Sequence, residues 1–267
     1  MRSTSVSFRQ NSVEALLDPD LQKALGKMGF LGARQRAVDA LPEWEQIRST
    51  AREIKEHTLA HLDFYLQEFE ANVEAQGGHV HWCSTPEEAC TTVVQILRDS
   101  GARTVIKGKS MAGEEIGLNE ALADATIDRL ETDLGEYIIQ LADEPPSHII
   151  APAIHKTKDQ ITELFHEHHQ KHGKTEPVTD VGAIVNEARE VLRDGFLSAD
   201  AGITGANFLV AETGSIALVT NEGNGDLTNT LPRVHIVTAG MEKVIPTLDD
   251  LSVFLRLLAR SATGQEM

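Results

Sequence analysis

Only two of the 267 residues are cysteine, Cys83 and Cys90, seven apart and outside any Cys-x-x-Cys arrangement. That excludes a disulfide framework and leaves no thiolate set for a tetrahedral zinc or an iron–sulfur site, so two idle thiols in a reducing compartment are expected. No uninterrupted apolar stretch approaches ~18 residues, and the N-terminus has no apolar core of signal-peptide length. Neither membrane spanning nor export is indicated, and a cytoplasmic location is expected. Basic charge is also scarce. The net charge is −17, with 9 basic against 8 acidic groups in residues 1–60 but 15 against 33 in residues 61–267. An acidic body repels phosphate backbones and anionic lipid, which argues against binding nucleic acid or a membrane surface.

Three signature motifs are missing as well. There is no Gly-x-Ser-x-Gly elbow and no Gly-x-Gly-x-x-Gly after a strand, which removes most support from hydrolase and dinucleotide-dehydrogenase readings. Lys107-Gly108-Lys109-Ser110 carries the Gly-Lys-Ser order of a phosphate-binding loop, but Arg103 stands where that loop needs a glycine. What remains is two lysines and a hydroxyl between a strand and a helix, a seat for a carboxylate or phosphate unless both lysines are merely solvated.

The apolar pattern that is present divides the chain. Residues 1–60 read as an N-terminal helical extension, with a helical hint at Leu21 to Met28, and residues 61–267 as the main domain. Apolar positions from Ile47 to Val73 recur at three- and four-residue steps, predicting one long helix stopped by Gly77-Gly78. Beyond it, short apolar runs alternate with helical segments. Strands are expected at 79–82, 104–106, 137–139, 147–151 and 233–238, and helices at 86–98, 114–125, 158–171, 181–193 and 248–259. Such alternation predicts an α/β fold with a parallel sheet. Phe208 to Ala211 and Ile216 to Val219 read as two buried strands joined by Glu212-Thr213-Gly214-Ser215, a tight turn in which Gly214 supplies positive φ. That turn and the following Asn221-Glu222-Gly223-Asn224 loop are either a solvated hairpin end or a polar pocket wall.

Two further clusters bear on chemistry. Carboxylates are dense at Glu131, Asp133 and Glu136, with Glu114 and Glu115 upstream; Thr132 or Asp133 suits a helix cap, which leaves Glu136 unexplained. The histidines of Phe165 to His172 lack metal-ligand spacing and read as a solvated helix end. His155 follows an expected strand, where α/β folds place ligand groups.

Several blocks in order resemble the LUD-domain family, and within it the LutB-type subunits of bacterial lactate-utilisation systems. They are Lys107 to Asn119, Glu131 to Ile138, Pro146 to Ile149, Ala151 to Lys156, Gly202 to Asn207, Ala211 to Ser215, Thr220 to Gly225 and Leu231-Pro232-Arg233. The resemblance implies a fold of the NagB/RpiA/CoA-transferase group, a parallel-rich sheet flanked by helices. It also implies a part in oxidising L-lactate to pyruvate beside LutA- and LutC-type subunits that carry iron–sulfur chemistry. LutB-type proteins are expected to continue into a ferredoxin-like segment with two cysteine sets. Neither set lies in these 267 residues, so [4Fe–4S] clusters are expected in a full-length relative or in partner subunits, and the chain reads as a truncated LutB-type protein or a stand-alone LUD protein.

With that resemblance, Lys107, Lys109 and Ser110 become candidate anion ligands, and Glu136 and His155 candidate proton exchangers. Glu212, Thr213, Gly214, Asn221, Glu222, Gly223 and Asn224 become the opposite wall, with Glu212 and Glu222 as its acids. A 2-hydroxy acid needs a base near its hydroxyl and a cation on its carboxylate. Two alternatives stand beside this: a non-catalytic assembly module, and a transferase- or ligase-like enzyme with Glu222 as nucleophile.

Overall fold

The computed structural model describes residues 5–25, 30–147 and 151–266. Helices α1 (Phe8–Leu17), α2 (Pro19–Leu25), α3 (Phe30–Asp39), α4 (Trp44–Ala60) and α5 (Leu62–Ala75) come first. The single helix expected from Ile47 to Val73 is therefore two. At His61 (φ −127°) the ring Nδ1 donates to the His57 carbonyl at 2.9 Å, the acceptor that its own backbone N–H would use in a continuous helix, and that N–H turns to Thr58 instead. Residues 79–82, expected as a strand, are irregular: among the described residues they join neither sheet.

Next come α6 (Pro86–Asp99), β1 (Thr104–Gly108), α7 (Met111–Glu115), α8 (Leu118–Asp124), β2 (Asp128–Glu131) and α9 (Leu134–Ala142). The helix expected over 114–125 is broken at Gly117, whose φ of 75° is left-handed. Tyr137-Ile138-Ile139, expected as a strand, is the buried middle of α9; a short apolar run does not distinguish a strand from a helix buried on several sides, and the Asp133 cap decides it. The strand expected at 147–151 falls largely on 148–150, outside the described residues. The chain ends with α10 (Lys158–His168), α11 (Val181–Ser198), β3 (Ala201–Gly205), β4 (Phe208–Val210), β5 (Ser215–Ala217), α12 (Asn224–Thr230), β6 (Val234–Thr238), β7 (Val244–Ile245) and α13 (Leu248–Ala262).

The described residues form two compact units. The first draws on 1–27, 83–205 and 220–238, the second on 28–82, 206–219 and 239–267. The first holds the expected parallel sheet, in the order β2-β1-β3-β6. One face packs Val105 and Ile203 against Val93 and Leu97 of α6 and Leu118 and Leu122 of α8. A second cluster gathers Tyr137 and Ile138 of α9, Phe165 of α10, and Ile184, Ala188 and Leu192 of α11. Each fully buried aliphatic side chain contributes roughly 1.5–3 kcal/mol. Gly202 lets α12 close on β3, since a Cβ there would lie 2.0 Å from the Thr228 carbonyl oxygen.

In the second unit β4 pairs with β5 antiparallel and with β7 parallel. Phe69, Leu209, Ala211 and Val244 form its core. The hairpin is as expected, but β5 is not buried: Ile216 is 43% exposed because β5 is an edge strand. α13 begins with a reciprocal capping box between Thr247 and Asp250.

Candidate functional site

The site is assembled where the parallel strands of the first unit end at their carboxyl termini. The chain runs from β1 outward to β2, then returns to place β3 on the other side of β1, so the strand order reverses beside β1, where open α/β sheets leave a crevice. The residues following β1 and β2 supply most of the chemistry.

Lys107 is fully buried, and its Nζ lies 2.8 Å from Glu114 Oε1 and 3.0 and 3.3 Å from the two oxygens of Glu131. Arg129 adds a third cationic contact, Nη1 to Glu131 Oε1 at 2.8 Å, and Asn119 Nδ2 donates to Glu114 at 2.8 Å. Burial pulls the Lys107 ammonium down, but Glu131 and Glu114, with Glu136 behind them, outweigh it and hold its pKa above the ordinary value. An ammonium so enclosed is neutralised within the protein. β2 is an edge strand, and Gln140 of α9 completes it: its Nε2 donates to the Arg129 carbonyl at 2.7 Å and its Oε1 accepts from the Glu131 N–H at 2.9 Å.

Glu136 sits in the first turn of α9. Its Oε2 is buried without a hydrogen-bond partner among the described residues. Burial first, then the Glu131, Asp133 and Glu114 charges, push its carboxyl up to about 8 against the opposing pull of Lys107. The side chain is therefore mainly a neutral carboxylic acid at pH 7, a proton donor where the sequence shows only another acid.

Lys109 adopts φ 55°, left-handed for a non-glycine residue. Its Nζ reaches Asp133 Oδ2 at 2.7 Å and Asn221 Oδ1 at 2.9 Å. Its carbonyl accepts from the Gly205 N–H at 3.2 Å, and a Cβ at Gly205 would stand 2.4 Å from that oxygen. Ser110 is fully buried: its hydroxyl accepts from the Gly113 N–H at 3.0 Å, capping α7, and shares a 2.6 Å hydrogen bond with Thr238.

The loop before α12 meets these residues from the other side. Glu222 Oε2 accepts from the Leu134 N–H at 3.3 Å, at the N-terminus of α9. Burial, and then Asp133, raise the Glu222 pKa, with the Leu134 N–H and Lys109 opposing. Gly223 takes φ 75°, which sets the turn into α12. Asn224 is buried; its Nδ2 donates to Thr132 Oγ1 at 3.5 Å, while its Oδ1 has no partner among the described residues. Thr132 in turn donates to the Lys107 carbonyl at 3.0 Å.

The structure thus brings Lys107, Lys109, Glu136, Asn221, Glu222 and Asn224 together with Glu114, Glu131 and Asp133. His155 belongs to a different cluster of the same unit: Nδ1 hydrogen-bonds Ser147 at 2.6 Å and Nε2 meets Glu144 Oε2 at 2.9 Å, and Lys156 contacts Glu144 at 2.5 Å. Burial pushes Glu144 up, but the hydrogen bonds from Lys156 and His155 prevail and hold it below the ordinary carboxylate value. Glu212, Thr213 and Gly214 belong to the second unit. There Glu212 Oε2 accepts from the Leu248 N–H at 3.1 Å, capping α13. The Thr213 carbonyl accepts from Gln76 Nε2 at 2.5 Å. Gly214 (φ 66°) leaves no room for a side chain, since a Cβ would stand 2.6 Å from the Val73 nitrogen.

One group of residues escaped the sequence reading. His169, expected at a solvated helix end, is fully buried: Nε2 accepts from the Tyr137 hydroxyl at 2.9 Å, and Nδ1 meets Glu187 Oε1 at 2.8 Å. Burial lowers the His169 pKa, against Glu187, and raises Tyr137 to about 12. A neutral imidazole carrying its proton on Nδ1 satisfies both contacts. The signal was present: His169 follows Thr162 and Phe165 at helical spacing and shares their buried face.

The cysteines do not fit an iron–sulfur cluster. Cys90 is packed in the core, donates to the Ile116 carbonyl at 3.3 Å, and has its pKa raised by burial, while Cys83 Sγ lies 3.7 Å from Thr92 Oγ1. Among the described residues no group of three His, Cys, Asp or Glu side chains is arranged to hold a metal ion, and no helix is long and apolar enough to cross a membrane. Two clefts, of about 220 and 350 Å³, lie within the second unit and include none of the expected site residues.

The model of the LUD domain matches residues 66–267. An "uncharacterized electron transport protein YkgF" of Escherichia coli (strain K12) is 43% identical over 269 residues, covering all of this chain and 56% of the relative. Lactate utilization protein B of Bacillus velezensis is 46% identical over 270 residues, again all of this chain and 56% of the relative. The protein of that name from Bacillus subtilis (strain 168) is 45% identical over 235 residues, 88% of this chain and 48% of the relative. The chain spans about half the length of these relatives. No solved structure matches it.

Proposed function

Because this chain belongs to the LUD-domain family, we propose that it serves lactate utilisation as the LUD domain of a LutB-type protein, working with LutA- and LutC-type subunits in oxidising L-lactate to pyruvate. The names of its relatives support the reading. Within the molecule, the observation that carries it is Glu136, a buried carboxylic acid with a pKa of about 8 beside a neutralised lysine at the ends of parallel strands. Oxidising a 2-hydroxy acid to a 2-oxo acid removes two electrons and two protons, one proton from the hydroxyl. Glu136, holding its proton, donates a hydrogen bond to the substrate's hydroxyl oxygen, and Lys107 pairs with Glu131 and Glu114 beside it; the two protons and two electrons pass to acceptors on the partner subunits. Lys109 receives the substrate carboxylate by exchanging its contact with Asp133. Cys83 and Cys90 do not fit a cluster, so no electron-carrying step is assigned to these residues.

A second reading, a non-catalytic assembly module, is favoured by one observation: Lys107 and Lys109 both already face internal carboxylates. Calorimetry on the full chain separates the two. The first reading predicts that L-lactate or pyruvate binds and that Lys109→Ala weakens binding at least about tenfold, roughly 1.4 kcal/mol. A chain that captures its partner subunits yet binds neither acid is an assembly module.

A further inference from the structure

We infer that this site takes up a proton whenever it takes a carboxylate, and that Glu136 is where the proton goes. The inference rests on the carboxylate-binding reading above and adds a linkage to it. The reason is a charge balance fixed by geometry. Lys107 contacts Glu114 at 2.8 Å and Glu131 at 3.0 Å, Arg129 contacts Glu131 at 2.8 Å, and Lys109 contacts Asp133 at 2.7 Å. Three cations thus face three carboxylates. Glu136 is the fourth carboxylate and has no cation of its own, and its Oε2 is buried with no hydrogen-bond partner among the described residues.

The charged groups around Glu136 are Lys107 from β1, Glu131 from β2, Asp133 at the start of α9 and Glu114 from α7, a majority of them acidic. Glu222, from the loop before α12, adds a further acid at the Leu134 N–H. With the proton on Glu136, the three cations balance the three carboxylates they contact. An anion arriving at Lys109 adds negative charge, and protonation of Glu136, which has no cation of its own, offsets it. Glu136 titrates near 8, so in mildly alkaline solution part of the population has lost the proton and must regain it on binding. By linkage, an acid half ionised before binding takes up about 0.4 proton per ligand when binding raises its proton affinity tenfold.

The test is calorimetry of L-lactate binding to the full chain at pH 8 and pH 6, each in two buffers of different ionisation enthalpy. Uptake of about 0.4 proton at pH 8 and nearly none at pH 6 is expected. Glu136→Gln should abolish the uptake at pH 8, and Glu222→Gln should retain it. Binding at pH 8 without proton uptake overturns the inference, as does uptake that survives Glu136→Gln or disappears in Glu222→Gln. The comparison of pH 8 with pH 6 on the unaltered chain decides the matter even where Glu136→Gln fails to fold. Failure of the unaltered chain to bind L-lactate at either pH instead defeats the binding reading, and the linkage falls with it.

Discussion

Lys107 and Glu131 stand opposite each other in the parallel register of β1 and β2, and the buried ammonium touches both carboxylate oxygens at 3.0 and 3.3 Å. Breaking such a pair strands a charge. Lys107→Met should lower stability by about 3–5 kcal/mol, because Glu131 loses its buried counter-charge. The double variant Lys107→Met/Glu131→Met should lose less than the sum of the single changes. Urea unfolding at unchanged slope measures both, and strict additivity would show that the pair is not coupled.

Glu136 predicts a pH dependence of defined sign. Its pKa is raised in the folded chain from 4.5 to about 8, so between those values the native state binds more protons than the unfolded one. Its contribution is complete below pH 4.5 and is lost as pH rises toward 8, at up to about 1.4 kcal/mol per pH unit. Relative to the unaltered chain, Glu136→Gln should flatten stability across that window. Parallel stability–pH curves for the two proteins would contradict the assignment.

The Tyr137–His169–Glu187 chain ties α9 to the C-terminal end of α10 and to α11. Tyr137→Phe keeps the packing but leaves the buried His169 Nε2 without its donor, at a cost of about 1–3 kcal/mol. The His169 pKa is lowered by burial, so its stabilising share is present above about 6.5 and fades as pH falls below that value. Thermal unfolding at pH 7.5 and pH 5.5 reads both effects; an unchanged midpoint in Tyr137→Phe would show the hydrogen bond to be dispensable.

Gly202 tests the closure of α12 on the sheet. An alanine Cβ would lie 2.0 Å from the Thr228 carbonyl oxygen, a backbone atom held by its helix. Gly202→Ala should therefore destabilise by at least about 1–3 kcal/mol through overpacking. By contrast, Gly101→Ala meets no atom within 4 Å and carries only the strain of its φ of 73°. Equal melting temperatures for the two variants would contradict the tight approach.

The alternation of strands and helices was legible in the sequence because each apolar run carries its own period. The class of fold followed from it, whereas the division at residue 60 did not, since residues 28–82 form one compact unit with 206–219 and 239–267. Tyr137 to Ile139 was not legible as helix, since burial on several sides erases the periodicity that marks a surface helix. β2 was missed because three of its four residues, Asp128, Arg129 and Glu131, are charged; the Glu131 carboxylate is tolerated inside only because Lys107 and Arg129 lie against it. The same applies to the site. Dense carboxylates at 131–136 were visible, but which of them keeps its proton depends on where Lys107 and Lys109 spend their charges, and that is a property of register. His155 and Glu212 show the reverse: residue type suggested chemistry, while geometry ties His155 to Glu144 and Glu212 to the start of α13.

The most direct measurement is a titration of the glutamate side-chain carboxyls by carbon-13 NMR, with Glu136→Gln identifying the resonance. A single carboxyl with a midpoint near 8, absent from the variant, is expected. A Glu136 midpoint within the ordinary range near 4.5 would mean that the acid is ionised at neutral pH and that the proton-holding site does not exist.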